Sequence, residues 1–185
     1  REALVEAERP VRLPGTDPSE EGTRICPAQI GGPNWESPSY DPALGLFFVT
    51  VREGCARFFR WAVPYKPGES FRGGVPQRIQ DDETATYMAL RAIDPKTADV
   101  RWEYRFTTQS GAGVMTTASG LIFTGSASSL MALDARSGKA LWSYQTGGNI
   151  GAAPITYMLD GRQYVLIPSG TTLSAFALPA WAEAP

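Results

Sequence analysis

Two stretches of this chain repeat one another 40 residues apart, and nothing else in the sequence narrows its fold as far. Ala89-Leu-Arg-Ala-Ile-Asp-Pro-Lys-Thr-Ala-Asp-Val-Arg-Trp-Glu-Tyr104 is echoed by Leu130-Met-Ala-Leu-Asp-Ala-Arg-Ser-Gly-Lys-Ala-Leu-Trp-Ser-Tyr144. Ala92, Asp94, Trp102 and Tyr104 return as Ala132, Asp134, Trp142 and Tyr144 at a single offset (132 − 92 = 40). Each copy reads as strand, turn, strand. An apolar strand closes on Ala-x-Asp, and Asp134 can accept backbone N–H groups in the turn that follows. Gly138 is free to take positive φ there, and residues 139–144 then alternate as a strand does. A unit of about 40 residues with four short strands describes a blade of a β-propeller, in which such a tryptophan packs between neighbouring blades.

Further compact apolar strands, bounded by Gly or Pro, are expected at residues 45–51, 120–125 and 163–168. Residues 173–178 start like another copy of the repeat and then stop. The expectation is an all-β chain of about three blades, against the four to eight of a closed propeller. Residues 1–23 read as an irregular segment, 24–179 as the blades and 180–185 as a tail. Within these, residues 1–8 fit a short helix or a frayed end, and 10–22 a loop. Residues 65–83, with Asp81-Asp82-Glu83, fit a long exposed insertion. An unclosed array leaves a strand edge and an apolar blade face without cover. The chain is therefore expected to need further blades, from the same precursor or a separate chain.

Composition removes whole classes of chemistry. The sequence has no histidine, so neither a Ser-His-Asp nor a Cys-His nucleophile system can be built from it. A His-containing zinc site and a Cys-x-x-Cys-His haem attachment are excluded as well. The two cysteines, Cys26 and Cys55, are too few for a structural zinc site and too far apart for a Cys-x-x-Cys motif. Lys plus Arg total 17 against 19 Asp plus Glu, without a basic block, which argues against a nucleic-acid partner. The longest apolar runs, such as residues 164–168, are far shorter than a membrane span. The sequence opens at Arg1 with no charged-then-apolar leader, which fits a mature secreted chain or a segment of a longer one. Gly147-Gly-Asn-Ile-Gly151 has the look of a dinucleotide loop, but Pro154 and strand-like residues follow where a Rossmann unit requires a helix.

Gly31-Gly-Pro-Asn-Trp-Glu-Ser-Pro-Ser-Tyr-Asp-Pro-Ala-Leu-Gly-Leu-Phe-Phe-Val49 resembles the methanol/ethanol dehydrogenase family of quinoproteins. The family pattern there is Gly-Gly-x-Asn-Trp-x-x-x-Ser-Tyr-x-Pro-x-x-Gly-Leu-x-Tyr-Val, from which Phe48 departs. Gly68-Glu-Ser-Phe-Arg-Gly-Gly74, the two repeat units and the closing Ala175-Phe-Ala-Leu-Pro179 are similar as well. The resemblance runs over residues 24–179 and implies the C-terminal part of an eight-bladed propeller built on tryptophan-motif repeats.

The same resemblance implies a periplasmic alcohol dehydrogenase that holds pyrroloquinoline quinone and a calcium or lanthanide ion. Its partners would be a small alcohol and an electron acceptor such as a cytochrome c. Asn34 would hydrogen-bond the quinone near its reactive carbonyls, with Trp35 beside it. Physically, a planar polyanion needs fixed amide donors and flat apolar walls. Many relatives carry Trp-Ala-Gly-Val where this chain has Gly111-Ala-Gly-Val114, and that Trp contacts the cofactor. Three readings of Gly111 stand open: another ring fills the space, the quinone is held more loosely, or the chain is a relative that binds none. A Cys26–Cys55 disulfide is also implied, bracketing the Asn-Trp segment. No catalytic and no metal-binding residue of the family has a matched position in this chain. The rival reading is a non-catalytic propeller used as a periplasmic binding scaffold.

Overall fold

In the computed structural model, residues 5–6, 9–10, 13–79, 86–109 and 111–179 are described, and every regular element among them is a strand. The chain divides into two compact units. One comprises residues 1–32 and 53–86, the other residues 33–52 and 87–185.

In the first unit β1 (Val5–Glu6) pairs antiparallel with β2 (Arg9–Pro10). The helical option for residues 1–8 is thereby overturned, because a short extended ladder takes residues 5 and 6. β3 (Thr23–Ile25) belongs to a small sheet that is completed from the insertion. In the second unit, β4 (Ser39–Asp41) and β5 (Leu46–Glu53) form a hairpin whose turn is held by the Asp41 carboxylate. Asp41 Oδ1 accepts from the backbone N–H groups of Ala43 and Leu44. β6 (Ala56–Arg60) and β7 (Gly74–Arg78) then extend β3 in the order β3-β6-β7. Part of the expected exposed insertion is thus ordered sheet. Glycine makes this pairing possible: a Cβ on Gly74 would lie 2.1 Å from the Phe59 carbonyl oxygen. Residues 80–85, which include the acidic cluster, lie outside the described residues, as does the 180–185 tail.

Cys26 and Cys55 are bonded, with their Cα atoms 4.4 Å apart, as the family resemblance implied. The Ala28 N–H donates to the Gly54 carbonyl at 2.9 Å beside the bridge.

The second unit is a series of antiparallel meanders. β8 (Tyr87–Ile93) and β9 (Val100–Arg105) complete a four-stranded blade in the order β4-β5-β8-β9. β10 (Met115–Thr116), β11 (Leu121–Ser126), β12 (Ser129–Asp134) and β13 (Ala140–Gln145) form a second. β14 (Ile155–Leu159), β15 (Arg162–Ser169) and β16 (Thr172–Phe176) form a three-stranded third. A strand follows the glycine-rich 147–151 stretch, as expected of a propeller and not of a dinucleotide site.

The repeat now acquires a structural meaning. Ala92 lies opposite Trp102, and Ala132 opposite Trp142; Leu90 faces Tyr104, and Leu130 faces Tyr144. Both pairings carry a register shift one residue before the repeated aspartate. A small residue opposite each tryptophan leaves room for the ring, and the bulge turns the strand into the Asp turn. β12 is buried along almost its whole length, because an apolar layer covers each face. Phe48 and Leu90 of the first blade pack in one cluster with Ile122 and Leu133 of the second. Leu130 of the second packs with Ile150 and Ile167 towards the third. Beyond that the cover ends. β13 and β14 are exposed throughout, with Trp142 43% and Ile155 56% accessible.

Candidate functional site

Each blade of the second unit is entered through a loop that precedes its first strand. These loops comprise residues 33–38 before β4, 111–114 before β10 and 150–154 before β14. All three converge on Gly111. A Cβ built there would stand 3.6 Å from the Trp35 ring atom Cη2, 3.7 Å from the Gly151 Cα and 3.8 Å from the Ile150 carbonyl oxygen. The Trp35 ring, from the preceding blade's entry loop, therefore borders the space ahead of Gly111 at ordinary contact distance.

The loops are fastened to one another through backbone. The Val114 N–H donates to the Ser37 carbonyl at 2.8 Å. The hydroxyls of Thr50 and Thr124 donate to the carbonyls of Ala112 and Gly113 at 3.2 and 3.0 Å. Gly113 has no room for a side chain, since its Cβ would lie 2.7 Å from Ala153 Cβ and 2.9 Å from the Ser37 carbonyl. The Ile150 N–H closes the set by donating to the Ala127 carbonyl at 2.8 Å. Satisfying buried backbone groups in this way holds loop segments as firmly as strands are held.

On this base Trp35 is 62% exposed, and Asn34 is exposed as well. The exposed indole of Trp35 thus borders the bare Gly111 backbone, with Asn34 next to it in the chain. Glu36, the next residue along, is buried. It is 3% exposed, its Oε1 accepts from Arg52 Nη2, and its Oε2 takes no hydrogen bond among the described residues. Sequence reasoning passed over this pair, because a Glu and an Arg 16 positions apart form no motif.

A separate cleft of about 280 Å³ lies between the outer strands of the first and second blades. Thr108, Ser126, Ser129, Gln145 and Tyr104 are among its lining residues. Asn34, Trp35 and Gly111 do not line it, and its polar groups are neutral hydroxyls and an amide. This cleft and the meeting point of the entry loops are thus separate places on the second unit. Among the described residues there is no cluster of three His, Cys, Asp or Glu side chains that could hold a metal ion. Among the described residues there is no helix long and apolar enough to cross a membrane.

Comparison with known proteins agrees with the all-β fold. Residues 84–165 match the family described as glucose/ethanol/alcohol dehydrogenase, beta-propeller domain. A quinoprotein ethanol dehydrogenase of Pseudomonas putida is 34% identical over 95% of this chain and 28% of its own length. The 1-butanol dehydrogenase (quinone) of Thauera butanivorans is 36% identical over 85% of this chain and 25% of its own length. Among solved structures, a europium-containing methanol dehydrogenase superposes with a TM-score of 0.77 at 27% identity, over 89% of this chain and 30% of that one. The chain thus spans little more than a quarter of the curated relatives it matches.

Proposed function

The chain belongs to the quinoprotein alcohol dehydrogenase family, and on that footing we propose that it forms one wall of a pyrroloquinoline quinone channel in an alcohol-oxidising propeller. The observation that carries this reading is the meeting of Trp35 with Gly111, 3.6 Å from where a side chain would begin. Gly111 leaves a cradle that any larger side chain would fill. Trp35 borders it with an exposed flat surface, and Asn34 adds an uncharged donor. The residues present fit a planar, polyanionic group, because the acidic neighbour Glu36 is buried and paired with Arg52.

When bound, the quinone supplies the two-electron acceptor for alcohol oxidation. The residues of this chain bind and orient. The Asn34 amide can donate to a carbonyl oxygen without changing its own charge, and the Trp35 ring keeps water off a planar partner. The base that removes the alcohol proton, and the calcium or lanthanide ion, belong in this reading to other blades of the propeller. Those blades cover the exposed β13 and β14 faces, and a cytochrome c accepts the electrons. The Cys26–Cys55 bridge supports a periplasmic setting, since such bonds persist in oxidising compartments. The small alcohol oxidised is set by blades beyond this chain.

The test is made in the intact protein. Asn34→Ala removes one donor to the cofactor, about 1–3 kcal/mol, and lowers quinone affinity roughly five- to hundredfold with the fold retained. Asn34→Asp does worse, because it sets a carboxylate against an electron-rich ring. Equilibrium dialysis with the quinone decides it: parental affinity in both variants removes the site assignment and leaves the scaffold reading.

A further inference from the structure

Residues 33–38 carry no regular structure, and Glu36 alone among them is buried. The one side chain that this loop sends inward is therefore a carboxylate. It meets Arg52, near the end of β5, while its second oxygen stays without a hydrogen bond among the described residues. As a stabilising device this is poor. Desolvating a carboxylate offsets most of its attraction to the guanidinium, and an apolar residue of similar volume commonly anchors a loop as well or better. What an ion pair adds is direction. The Arg52 Nη2–H donates to one carboxylate oxygen and fixes the direction in which Glu36 points, whereas an apolar contact slides. The residues whose angle is set are the two immediately before it, Trp35 and Asn34. The second anchor of the loop, the Ser37 carbonyl to the Val114 N–H, lies on the other side of Glu36.

We propose that Glu36, held by Arg52, is a positioning residue that sets the orientation of Asn34 and Trp35 towards the quinone. It acts through those two side chains and touches no reacting atom. The inference rests on the cofactor reading above and gives Glu36 a positioning role in it.

The experiment measures quinone affinity by equilibrium dialysis in the intact protein prepared without cofactor, together with its circular dichroism. The variants are Glu36→Ala, Glu36→Gln, Arg52→Lys, the Asn34→Ala/Trp35→Ala pair, and that pair combined with Glu36→Ala. Glu36→Ala is expected to weaken binding about tenfold, the scale on which outer-shell partners act on a bound group. Glu36→Gln recovers most of this, because its amide oxygen still accepts from Arg52. Arg52→Lys, which keeps the charge and loses the Nη2–H that reaches Oε1, behaves like Glu36→Ala. In the background that lacks Asn34 and Trp35, Glu36→Ala has no further effect, since nothing remains to position. Parental affinity in Glu36→Ala overturns the inference, and so does a tenfold loss that persists undiminished in the combined variant. Should Glu36→Ala fail to fold, Arg52→Lys decides: parental affinity there overturns the inference equally. Parental affinity in the Asn34→Ala/Trp35→Ala protein overturns the cofactor reading itself, and the inference with it.

Discussion

The indole N–H of Trp102 donates to the carbonyl oxygen of Ala135 at 3.1 Å, in the Asp134–Gly138 turn of the next blade. The same ring lies over Gly138, where a Cβ would stand 2.6 Å from its Cε3 atom. Gly138 also adopts φ +71°, a conformation that a side chain resists. Gly138→Ala thus meets both a clash and backbone strain, and is expected to cost about 1–3 kcal/mol in the intact protein. Urea denaturation of the variant checks this; an unchanged midpoint would mean that the blades are not keyed together at this turn.

The equivalent turn of the preceding blade carries Ala98, at φ +60°. Its N–H donates to the Asp94 carbonyl at 2.8 Å, matching the Gly138 N–H to Asp134. An alanine there holds a left-handed conformation that costs about 1–2 kcal/mol relative to the right-handed one. Ala98→Gly relieves the strain at some cost in chain entropy, for a net gain of about 0.5–1 kcal/mol. A rise in denaturation midpoint is the expected result, with quinone affinity unchanged.

The Cys26–Cys55 bond closes a loop of 29 positions. In the chain-entropy description this contributes about 3–4 kcal/mol. Denatured but unreduced protein should show no titratable thiol, and reduction should lower the urea midpoint accordingly. Two free thiols in the unreduced sample would refute the bond.

Acid sensitivity follows from two carboxylates. Burial alone would raise the pKa of Glu103, but hydrogen bonds from Arg105 and Arg91 outweigh it and hold the carboxyl below its ordinary value. Asp134 is lowered by the Ser137 hydroxyl and backbone N–H, with a smaller part from the Arg136 N–H. Groups with depressed folded-state pKa values stabilise above the ordinary carboxylate range and lose that contribution as pH falls through the lowered values. Stability should hold from neutrality to about pH 5 and decline below about pH 4. Asp134→Asn is expected to flatten part of that decline in urea titrations across the range, and an unchanged slope would count against the turn carboxylate.

Sequence alone determined the blade. Ala92 and Trp102, or Ala132 and Trp142, recur because a strand–turn–strand unit needs a small residue opposite a large ring and an acceptor at its turn. Such needs are met within some fifteen neighbouring residues, so they leave a pattern that can be read along the chain. The Asn34-Trp35 segment and the Cys26–Cys55 pair were legible in another way, through their likeness to a family, and Gly111 stood out as a departure from it. Tertiary structure alone decided what surrounds them. That the Trp35 ring comes to rest beside Gly111, that Glu36 turns inward to Arg52, and that Gly113 must stay bare against Ala153 all depend on how successive entry loops meet once the blades are stacked. The same stacking separates two tryptophans that sequence makes equivalent. Trp102 finds the turn of the next blade, whereas Trp142 meets Phe176 edge-on and remains 43% accessible, with Ala177-Leu178-Pro179 standing where an Asp turn would cover it. Contacts between distant loops impose no period on the residues that make them, so they become visible only when the chain is folded.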